Sequence, residues 1–522
     1  MSTHIYERTP TTFGEKLNPA QHRAATFGAG GQSGFTAGPL LIIAGAGTGK
    51  TNTLAHRVAH LLLNGVAPER VLLLTFTRRA AQEMLRRAER ITMETLRTAN
   101  RGAPVPANAT RQLWSGTYHS IGNRLLREYA QVVGLEPSFS VLDRGDAADL
   151  LDFLRQELGL AKKEKRFPRK DACLAIYSHR VNSRQPLART LEENFPWCSD
   201  WAEELTQLYR RYVEVKHAQQ LLDYDDLLLY WSLLVQEPRL AREIGDRFSH
   251  VLIDEYQDTN TLQAQIVYAI KPDGVGVCVV GDDAQAIYSF RAATVENILS
   301  FPERFSPPAE IIKLEENYRS VQPILDAANV LMGDSPRQYQ KQLRSERASN
   351  RKPAYVTVQD DQAQALYIVG QILAAREQGE LLRRQAVLMR NSHHSDVLEL
   401  ELVRRNIPYV KYGGLKFLEA AHVKDVLALL RWADNPRNRL AGFRALQLLP
   451  GVGPATADRC LKVFEASGYV WSTLAAYQMP TAAATDWNGL TELLLDLAEA
   501  NEWAGQLGRL RKWYEPQLER IY

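Results

Sequence analysis

The segment from Ala44 to Thr51 reads AGAGTGKT and matches the pattern [AG]xxxxGK[ST]. Glycines in such a run let backbone N–H groups curl around phosphate oxygens, and the lysine and threonine reach the terminal phosphates and Mg²⁺. An apolar run precedes the segment and a helical pattern follows it, so that a helix dipole adds to the attraction. The alternative is a glycine-rich turn without a ligand. The phosphate-binding residues expected here are Gly45, Ala46, Gly47, Thr48, Gly49, Lys50 and Thr51.

Two adjacent carboxylates end another apolar run, Val251-Leu252-Ile253-Asp254-Glu255. A phosphate-binding loop needs a second acidic site, and Asp254 would hold Mg²⁺ together with Thr51. Glu255 would orient and deprotonate an attacking water, which points to hydrolysis rather than to transfer onto another substrate. The alternative is a pair of acids that face solvent.

These residues require strands and helices to position them. In the first third of the chain apolar runs alternate with helical patterns at 51–63 and 79–91, which predicts a parallel sheet with crossover helices. Residues 28–39 are rich in glycine and predict a flexible surface loop. The expected strands are 40–43, 71–74, 251–253, 277–280, 311–314 and 386–389.

Strand patterns vanish between 123 and 221 and again after about 418. The chain is therefore expected to be an α/β protein into which helical blocks are inserted. Its 522 residues suffice for three to four domains. A basic cluster at 162–170 fits either a contact with duplex phosphates or a solvated face.

Composition excludes several classes of protein. The chain is 45% hydrophobic and 24% charged, with a net charge of +3. Four scattered cysteines argue against a disulfide scaffold or a zinc ribbon. No apolar run approaches the roughly 18 residues of a membrane span, and the first residues are polar. We therefore expect a cytoplasmic protein with no membrane partner.

The sequence at 254–260, DEYQDTN, resembles motif II of the UvrD/Rep/PcrA group of superfamily 1 DNA helicases. Further segments resemble other motifs of this family in the right order. They are 17–21 (LNPAQ), 74–81 (LTFTRRAA), 116–120 (GTYHS), 222–227 (LDYDDL), 280–291 (VGDDAQAIYSFR) and 314–320 (LEENYRS). Several ordered matches are far more specific than any one of them.

The resemblance implies two RecA-like motor domains, 1A and a partial 2A, with inserted helical domains 1B and 2B. The boundaries that it suggests are 1–122 and 222–308 for 1A, 123–221 for 1B, 309–417 for 2A and 418–522 for 2B. Residues 449–456, LPGVGPAT, look like a helix-hairpin-helix turn that could approach a DNA phosphate, or an ordinary helix connection.

The same resemblance implies roles around ATP. Gln21 would read the adenine edge and Tyr318 would stack on the base. Arg319 would reach the γ-phosphate, Gln285 would sense it, and Arg291 would add positive charge. Each has a plainer alternative, such as a helix-start glutamine, a packed tyrosine, a loop hydrogen bond or a surface arginine.

A single-stranded DNA track needs aromatic stacking and phosphate contacts. Phe76, Tyr288 and Phe290 would stack on bases, while Thr117 and His119 would contact the strand backbone. An aromatic residue after a strand is ordinarily part of the core, and only the motif matches favour the track.

Motifs V and VI of the family are not found before Tyr522, so we expect a chain that ends inside 2B, as a fragment or a naturally short protein. The function expected is an ATP- and Mg²⁺-dependent 3′–5′ DNA helicase that acts on single strands and on single/double-strand junctions, in repair or replication. Alternatives are a module that binds ATP and single-stranded DNA without unwinding, and a helicase–nuclease subunit, for which no carboxylate cluster is evident.

Overall fold

The computed structural model describes residues 13–31, 34–98, 112–160, 167–412, 421–499 and 505–521. The chain divides into two compact units. The first comprises Met1–Arg351 with Asp434–Leu440, and the second comprises Lys352–Ala433 with Ala441–Tyr522. Each unit has apolar clusters of its own.

The first unit is built on a six-stranded parallel sheet with the strand order β10-β3-β9-β8-β4-β5. The strands β3, β4, β8 and β9 are buried along their whole length, as expected for a parallel sheet that is covered on both faces. The α/β prediction is confirmed. The strands are β1 (Ala29–Gly31), β2 (Gly34–Thr36), β3 (Leu40–Ala44), β4 (Val71–Leu74), β5 (Trp114–Gly116), β6 (Ser140–Val141), β7 (Leu221–Leu222), β8 (His250–Ile253), β9 (Val277–Gly281) and β10 (Glu310–Leu314).

Helices cover the sheet and form the insertion. Capping boxes at Asn18, Asp223 and Asn260 satisfy the first backbone N–H groups of α1, α9 and α11. The helices before residue 351 are α1 (Pro19–Thr26), α2 (Lys50–Leu63), α3 (Arg78–Thr98), α4 (Tyr118–Glu128), α5 (Arg144–Glu157), α6 (Lys170–Ser183), α7 (Leu187–Asn194), α8 (Ala202–Ala218), α9 (Tyr224–Leu234), α10 (Pro238–Arg247), α11 (Thr261–Ile270), α12 (Glu296–Leu299) and α13 (Gln322–Gly333).

The glycine-rich segment 28–39 is not simply a surface loop, and this prediction was wrong. Within it, β1 and β2 pair as an antiparallel ribbon. Phe35 of the ribbon is buried and packs edge-on against His60 of α2, with ring centroids 5.1 Å apart. Phe35 also lies 6.0 Å from the ring of His250 in β8, so one phenylalanine packs the ribbon against both α2 and the sheet. The glycine-rich composition gave no sign of this contact.

One expected strand forms but joins the first sheet instead of a second α/β stretch, and another expected strand does not form. Residues 310–314 do form a strand, but it pairs with β3 in the first sheet, with Ile312 opposite Ile42. Residues 386–389 form no strand and pair with none in the described part of the chain. Leu388 is 94% exposed. A β-strand requires a neighbour that completes its backbone hydrogen bonds, and the described residues provide none here.

The helical insertion is also not free of strands. Its two ends are joined by the short parallel pair β6 and β7, with Ser140 opposite Leu221. The helices α5, α6 and α8 pack around a core that includes Leu151 and Tyr212. Of the basic cluster, 162–166 lies outside the described residues, whereas Lys170 pairs with Asp149 at 2.5 Å.

A buried ion cluster joins the insertion to the sheet domain. The Lys216 ammonium lies 2.6 Å from an oxygen of Asp223 and 2.5 Å from one of Asp226, and all three side chains are almost fully buried. Tyr212 donates its hydroxyl to Asp223 at 2.8 Å. Burial, and then the negative charge of Asp223, raises the pKa of Asp226 to about 7. Lys216 is the cation that compensates the negative charge of both buried carboxylates.

The second unit is helical in its described residues. Its largest core gathers Trp432, Phe464, Trp487 and Leu494. Among the described residues of the chain, none of the helices has both the length and the apolar character that a bilayer crossing requires. The helices here are α14 (Asp361–Glu377), α15 (Asp396–Arg404), α16 (Ala421–Asp434), α17 (Arg439–Leu446), α18 (Pro454–Ala466), α19 (Trp471–Ala475), α20 (Ala484–Glu499) and α21 (Gln506–Ile521).

The segment 449–456 connects two helices, as both the helix-hairpin-helix interpretation and an ordinary helix connection predict. Gly451 has a φ of +71°, which is the left-handed region that glycine tolerates best. Gly453 is the N-cap of α18. A role of this turn in DNA binding stays a prediction.

The ion cluster of the insertion can be tested by substitution. Lys216→Met leaves two carboxylates buried without a cation, and we expect a loss of about 3–5 kcal/mol in the free energy of unfolding, measured by urea denaturation. Lys170→Met, which breaks an exposed pair on the same insertion, is the control and is expected to cost less than about 1 kcal/mol. Equal urea midpoints for the two variants would show that the cluster does not stabilise the fold.

Candidate functional site

The phosphate-binding loop connects β3 to α2 as the sequence predicts. Gly47 and Gly49 have φ values of +84° and +86°, a conformation that side chains with a Cβ rarely adopt. Gly49 is the N-cap of α2, and Lys50 is the first helical residue. The Thr48 hydroxyl donates to the Gly45 carbonyl at 2.8 Å and braces the turn. The loop therefore directs a helix N-terminus at any anion that it holds.

Side chains from distant segments pack directly on the loop glycines. A Cβ added to Gly47 would lie 2.7 Å from the Asn317 amide and 2.7 Å from the Cβ of Arg319. A Cβ on Gly45 would lie 2.5 Å from Leu343. The glycines are thus required both for the backbone turn and for the close approach of the segment 317–343.

Glu255 and Lys50 form the central ion pair of the site. The Lys50 ammonium donates to a Glu255 carboxylate oxygen at 2.6 Å, and only 9% of the Lys50 side chain is exposed. Glu255 has a φ of +52°, which is strained for a residue with a Cβ. Gln257 donates to the same carboxylate at 3.0 Å. The strained turn after β8 thus aims the predicted base at the predicted phosphate-binding lysine.

Asp254 meets the requirements of a metal ligand. It is buried, and its Oδ1 has no hydrogen-bond partner among the described residues. Burial, and then the charge of Glu255, raises the pKa of Asp254 to about 7. An oxygen that is buried and unpaired fits a hard cation, since Mg²⁺ prefers oxygen ligands. Thr51, in the first turn of α2, supplies the hydroxyl that the sequence predicts.

The turn after β9 is tied into the same network. The backbone N–H of Asp282 donates to Gln257 Oε1 at 3.0 Å. Gln285 donates its amide to Asp282 at 2.6 Å. Polar contacts therefore run without a break from Lys50 to Gln285.

Gln21 lies beside the loop, but both of its amide atoms are engaged within the protein. Its Nε2 donates to the Thr48 carbonyl at 2.8 Å, and its Oε1 accepts from the Asn18 backbone at 3.1 Å. Tyr318 is half exposed, and its hydroxyl accepts from the Asn18 amide at 2.9 Å. The adenine contacts of Gln21 and Tyr318 stay predictions.

Asn317 is a site residue to which the sequence analysis assigned no role. Its amide donates to the Ala46 carbonyl, while its Oδ1 accepts from the backbone of Arg319 at 2.9 Å and of Ser320 at 2.7 Å. The Tyr318 N–H also donates to the Gly47 carbonyl at 3.0 Å. The signal that could have found Asn317 is its place in EENYRS, directly before the two residues that were assigned. Arg319 itself is exposed.

The aromatic residues predicted to bind single-stranded DNA form one continuous group. The Phe76 and Tyr288 ring centroids lie 4.9 Å apart, and those of Tyr288 and Phe290 lie 5.7 Å apart. Phe290 is 71% exposed and Phe76 39%, so they are not core residues. Arg291 lies over both Tyr288 and Phe290, 5.6 Å from each centroid. We call Phe76, Tyr288 and Phe290 the aromatic track.

Arg291 therefore lies at the aromatic track, and its contribution of positive charge to the ATP site stays a prediction. His119 contacts the Tyr224 ring edge-on, at 5.8 Å between centroids. Burial, and then the charge of Arg291, lowers the pKa of His119 to about 4, which keeps the imidazole neutral near pH 7. Thr117 caps α4 by accepting from the Ser120 backbone at 3.2 Å. The DNA contacts of Thr117 and His119 stay predictions.

A further polar chain links the site to the insertion. Asn260, which caps α11, donates to Asn182 at 2.8 Å, and Asn182 donates to Asp225 at 2.6 Å. Asn182 lies in α6 of the insertion and was not singled out from the sequence. A lone polar residue in a helix carries no signal of such a contact.

The close packing on Gly47 provides a test of the loop. Gly47→Ala places a Cβ against Asn317 and Arg319 at a φ that disfavours it, and we expect nucleotide affinity to fall about tenfold or more, that is by at least about 1.4 kcal/mol. Gly38→Ala is the control, because nothing lies within 4 Å of its added Cβ. Displacement of a fluorescent ATP analogue measures both. Equal affinities would mean that the loop does not hold phosphate in this geometry.

Comparisons with known proteins identify the family of this chain. Residues 18–306 match the UvrD/REP helicase N-terminal domain, and residues 312–469 match the UvrD-like helicase C-terminal domain. The chain is 32% identical over 430 residues to the ATP-dependent DNA helicase PcrA of Staphylococcus epidermidis, and 32% identical over 428 residues to that of Staphylococcus aureus. Each alignment covers 81% of this chain and 56% of the relative.

The chain thus spans a little over half the length of the curated relatives that it matches. The first family model alone covers more than half of the chain, from Asn18 in the α1 cap to Ser306. It includes the phosphate-binding loop, the carboxylate pair and the aromatic track. This chain belongs to the UvrD/REP helicase family.

Proposed function

We propose that this chain binds and hydrolyses ATP as part of a DNA helicase that moves 3′ to 5′ along single-stranded DNA and unwinds duplex at single/double-strand junctions. The observation that carries the proposal is the polar network from Lys50 to Gln285, which continues within three residues into the aromatic track at Tyr288. In this proposal one short segment would serve both the nucleotide and the single strand of DNA.

The residues support hydrolysis by an in-line water. A water oxygen attacks the γ-phosphorus, the bond from that phosphorus to the β–γ bridging oxygen breaks, and Glu255 accepts the proton from the water. Lys50 offers its charge to the phosphates, and its present partner Glu255 is then released to act as the base. Gln285, fixed by Asp282, is placed to report whether a γ-phosphate is present.

Thr51 and Asp254 would hold Mg²⁺, which when bound neutralises phosphate charge. The high pKa of Asp254 means that protons compete with the cation near neutral pH, so metal binding by this carboxylate is expected to weaken as pH falls through about 7. Arg319 would add positive charge from the segment that packs on Gly47.

Single-strand binding is supported by ring area and charge together. Phe76 and Phe290 expose their rings, and Arg291 adds a cation beside them. Such platforms bind bases without reading their sequence, because every base has a π-face. The 3′–5′ polarity and a role in repair are supported only by the resemblance to UvrD, Rep and PcrA helicases.

Turnover and unwinding can be tested separately. Hydrolysis stimulated by single-stranded DNA, measured as phosphate release, tests the nucleotide function, and displacement of a fluorescent strand from a 3′-tailed duplex tests unwinding. Turnover without displacement would favour the alternative of a module that binds ATP and single strands. A chain that binds neither ATP nor single-stranded DNA would contradict the proposal as a whole.

Glu255→Gln keeps the shape of the side chain but removes the base. We expect turnover to fall by about 10²–10⁴-fold, while ATP affinity falls much less. Lys50→Ala, which removes the phosphate cation, should abolish turnover and weaken ATP binding as well. Glu193→Gln changes an exposed glutamate on the insertion and serves as the control. Normal turnover in Glu255→Gln would exclude it as the base.

The aromatic track is tested by Phe290→Ala and Tyr288→Ala. A stacking platform contributes about 1–3 kcal/mol per base, so single-strand affinity should fall about 5- to 150-fold while DNA-free turnover changes little. Trp197→Ala is a matched control, because Trp197 is 72% exposed on the insertion. Titration with a fluorescent oligonucleotide measures affinity. If all three variants bind like the unaltered chain, the aromatic residues do not contact the strand.

A further inference from the structure

The segment from Tyr339 to Ser345, which follows α13, contacts three parts of the candidate nucleotide site. We call it the strap. Leu343 packs on Gly45 of the phosphate-binding loop, where an added Cβ would lie 2.5 Å from the leucine. The Arg344 backbone exchanges hydrogen bonds with Glu315 at 2.9 Å and with Asn317 at 2.7 Å. Nothing in its sequence, YQKQLRS, matches a phosphate or metal pattern.

The third contact is ionic and buried. The Lys341 ammonium lies 2.6 Å from an oxygen of Asp282 and 2.5 Å from one of Asp283, with 6% of the lysine side chain exposed. The Tyr339 N–H donates to the other oxygen of Asp283 at 3.0 Å. The strap thereby holds both carboxylates of the turn after β9.

This contact bears on the nucleotide through Gln285. One oxygen of Asp282 binds Lys341, and the other accepts from the Gln285 amide at 2.6 Å. The backbone N–H of Asp282 is in turn held by Gln257, which also donates to Glu255. Without Lys341, two buried carboxylates would remain unneutralised beside the residues proposed to face a polyphosphate. Asp282 would then no longer hold Gln285 in its orientation.

We propose that Lys341 is a positioning residue for recognition of the terminal phosphate of a nucleoside triphosphate. It acts through Asp282, whose carboxylate orients Gln285, and it cancels negative charge that would repel the triphosphate more than the diphosphate. This role rests on the proposed ATP function, and it assigns to the strap a contribution to ATP-over-ADP discrimination.

The test is the ratio of ATP to ADP affinity with Mg²⁺, measured by displacement of a fluorescent nucleotide from the full chain. Lys341→Met should lower the ratio about fivefold or more, because ATP carries the extra charge and the extra phosphate. Lys341→Arg keeps the charge and should retain most of the ratio. Lys313→Met is the matched control: Lys313 also holds the strap, at the Gln340 carbonyl at 2.6 Å, but it pairs with neither Asp282 nor Asp283 in the described residues.

A role in folding alone is separated by the readout. Assays are run well below the unfolding temperature of each variant, and a loss of folded protein lowers both affinities without changing their ratio. An unchanged ratio in Lys341→Met, or an equal fall in Lys313→Met, would overturn the proposal. Absence of turnover in the unaltered chain would count against hydrolysis but leave the affinity ratio measurable. A chain that binds neither nucleotide would overturn both.

Discussion

The contact between Lys50 and Glu255 is the interaction around which the site is built. It joins Lys50, the first residue of α2, to Glu255, which follows Asp254 directly after β8. The lysine side chain is almost completely buried, and the low local dielectric strengthens its attraction to Glu255. The ion pair also helps to hold the strained backbone of Glu255 in place. In the proposed function Lys50 binds a phosphate and Glu255 acts as the base, so their ion pair would hold both side chains in position until a nucleotide binds the lysine.

The parallel sheet makes this pair possible. Parallel strands present their carboxyl ends at one edge, so loops that are distant in sequence meet there. Five strands in succession across the sheet, β10, β3, β9, β8 and β4, each carry a site segment directly after their last residue, and β5 at the edge leads into Thr117. These segments begin at Glu315, Gly45, Asp282, Asp254 and Thr75. The residues proposed to bind the nucleotide and those proposed to bind single-stranded DNA are neighbours because the β-strands that carry them are neighbours.

Coupling between the two functions would follow from shared segments. Asp282 and Gln285 lie on the same turn that leads to Tyr288 and Phe290. In the proposed function a shift at the phosphate end would reach the aromatic track through a few peptide units. The strap contacts this turn through Lys341 and Asp283, and Asn317 donates a hydrogen bond to the phosphate-binding loop at Ala46. Rigid packing of this kind favours two discrete arrangements over gradual deformation.

Much of this protein is determined by the sequence alone. The phosphate-binding loop, the carboxylate pair and most central strands are local patterns, since glycine placement and apolar runs dictate backbone conformation within a few residues. Only the tertiary structure decided the pairing of β1 with β2, the pairing of β10 with β3 and the contacts of Asn317 and Lys341. Lys341 meets Asp283 across 58 residues of chain. Such contacts depend on how the sheet brings strand ends together, and a lysine or an asparagine in a loop carries no local sign of the partner that the fold will give it.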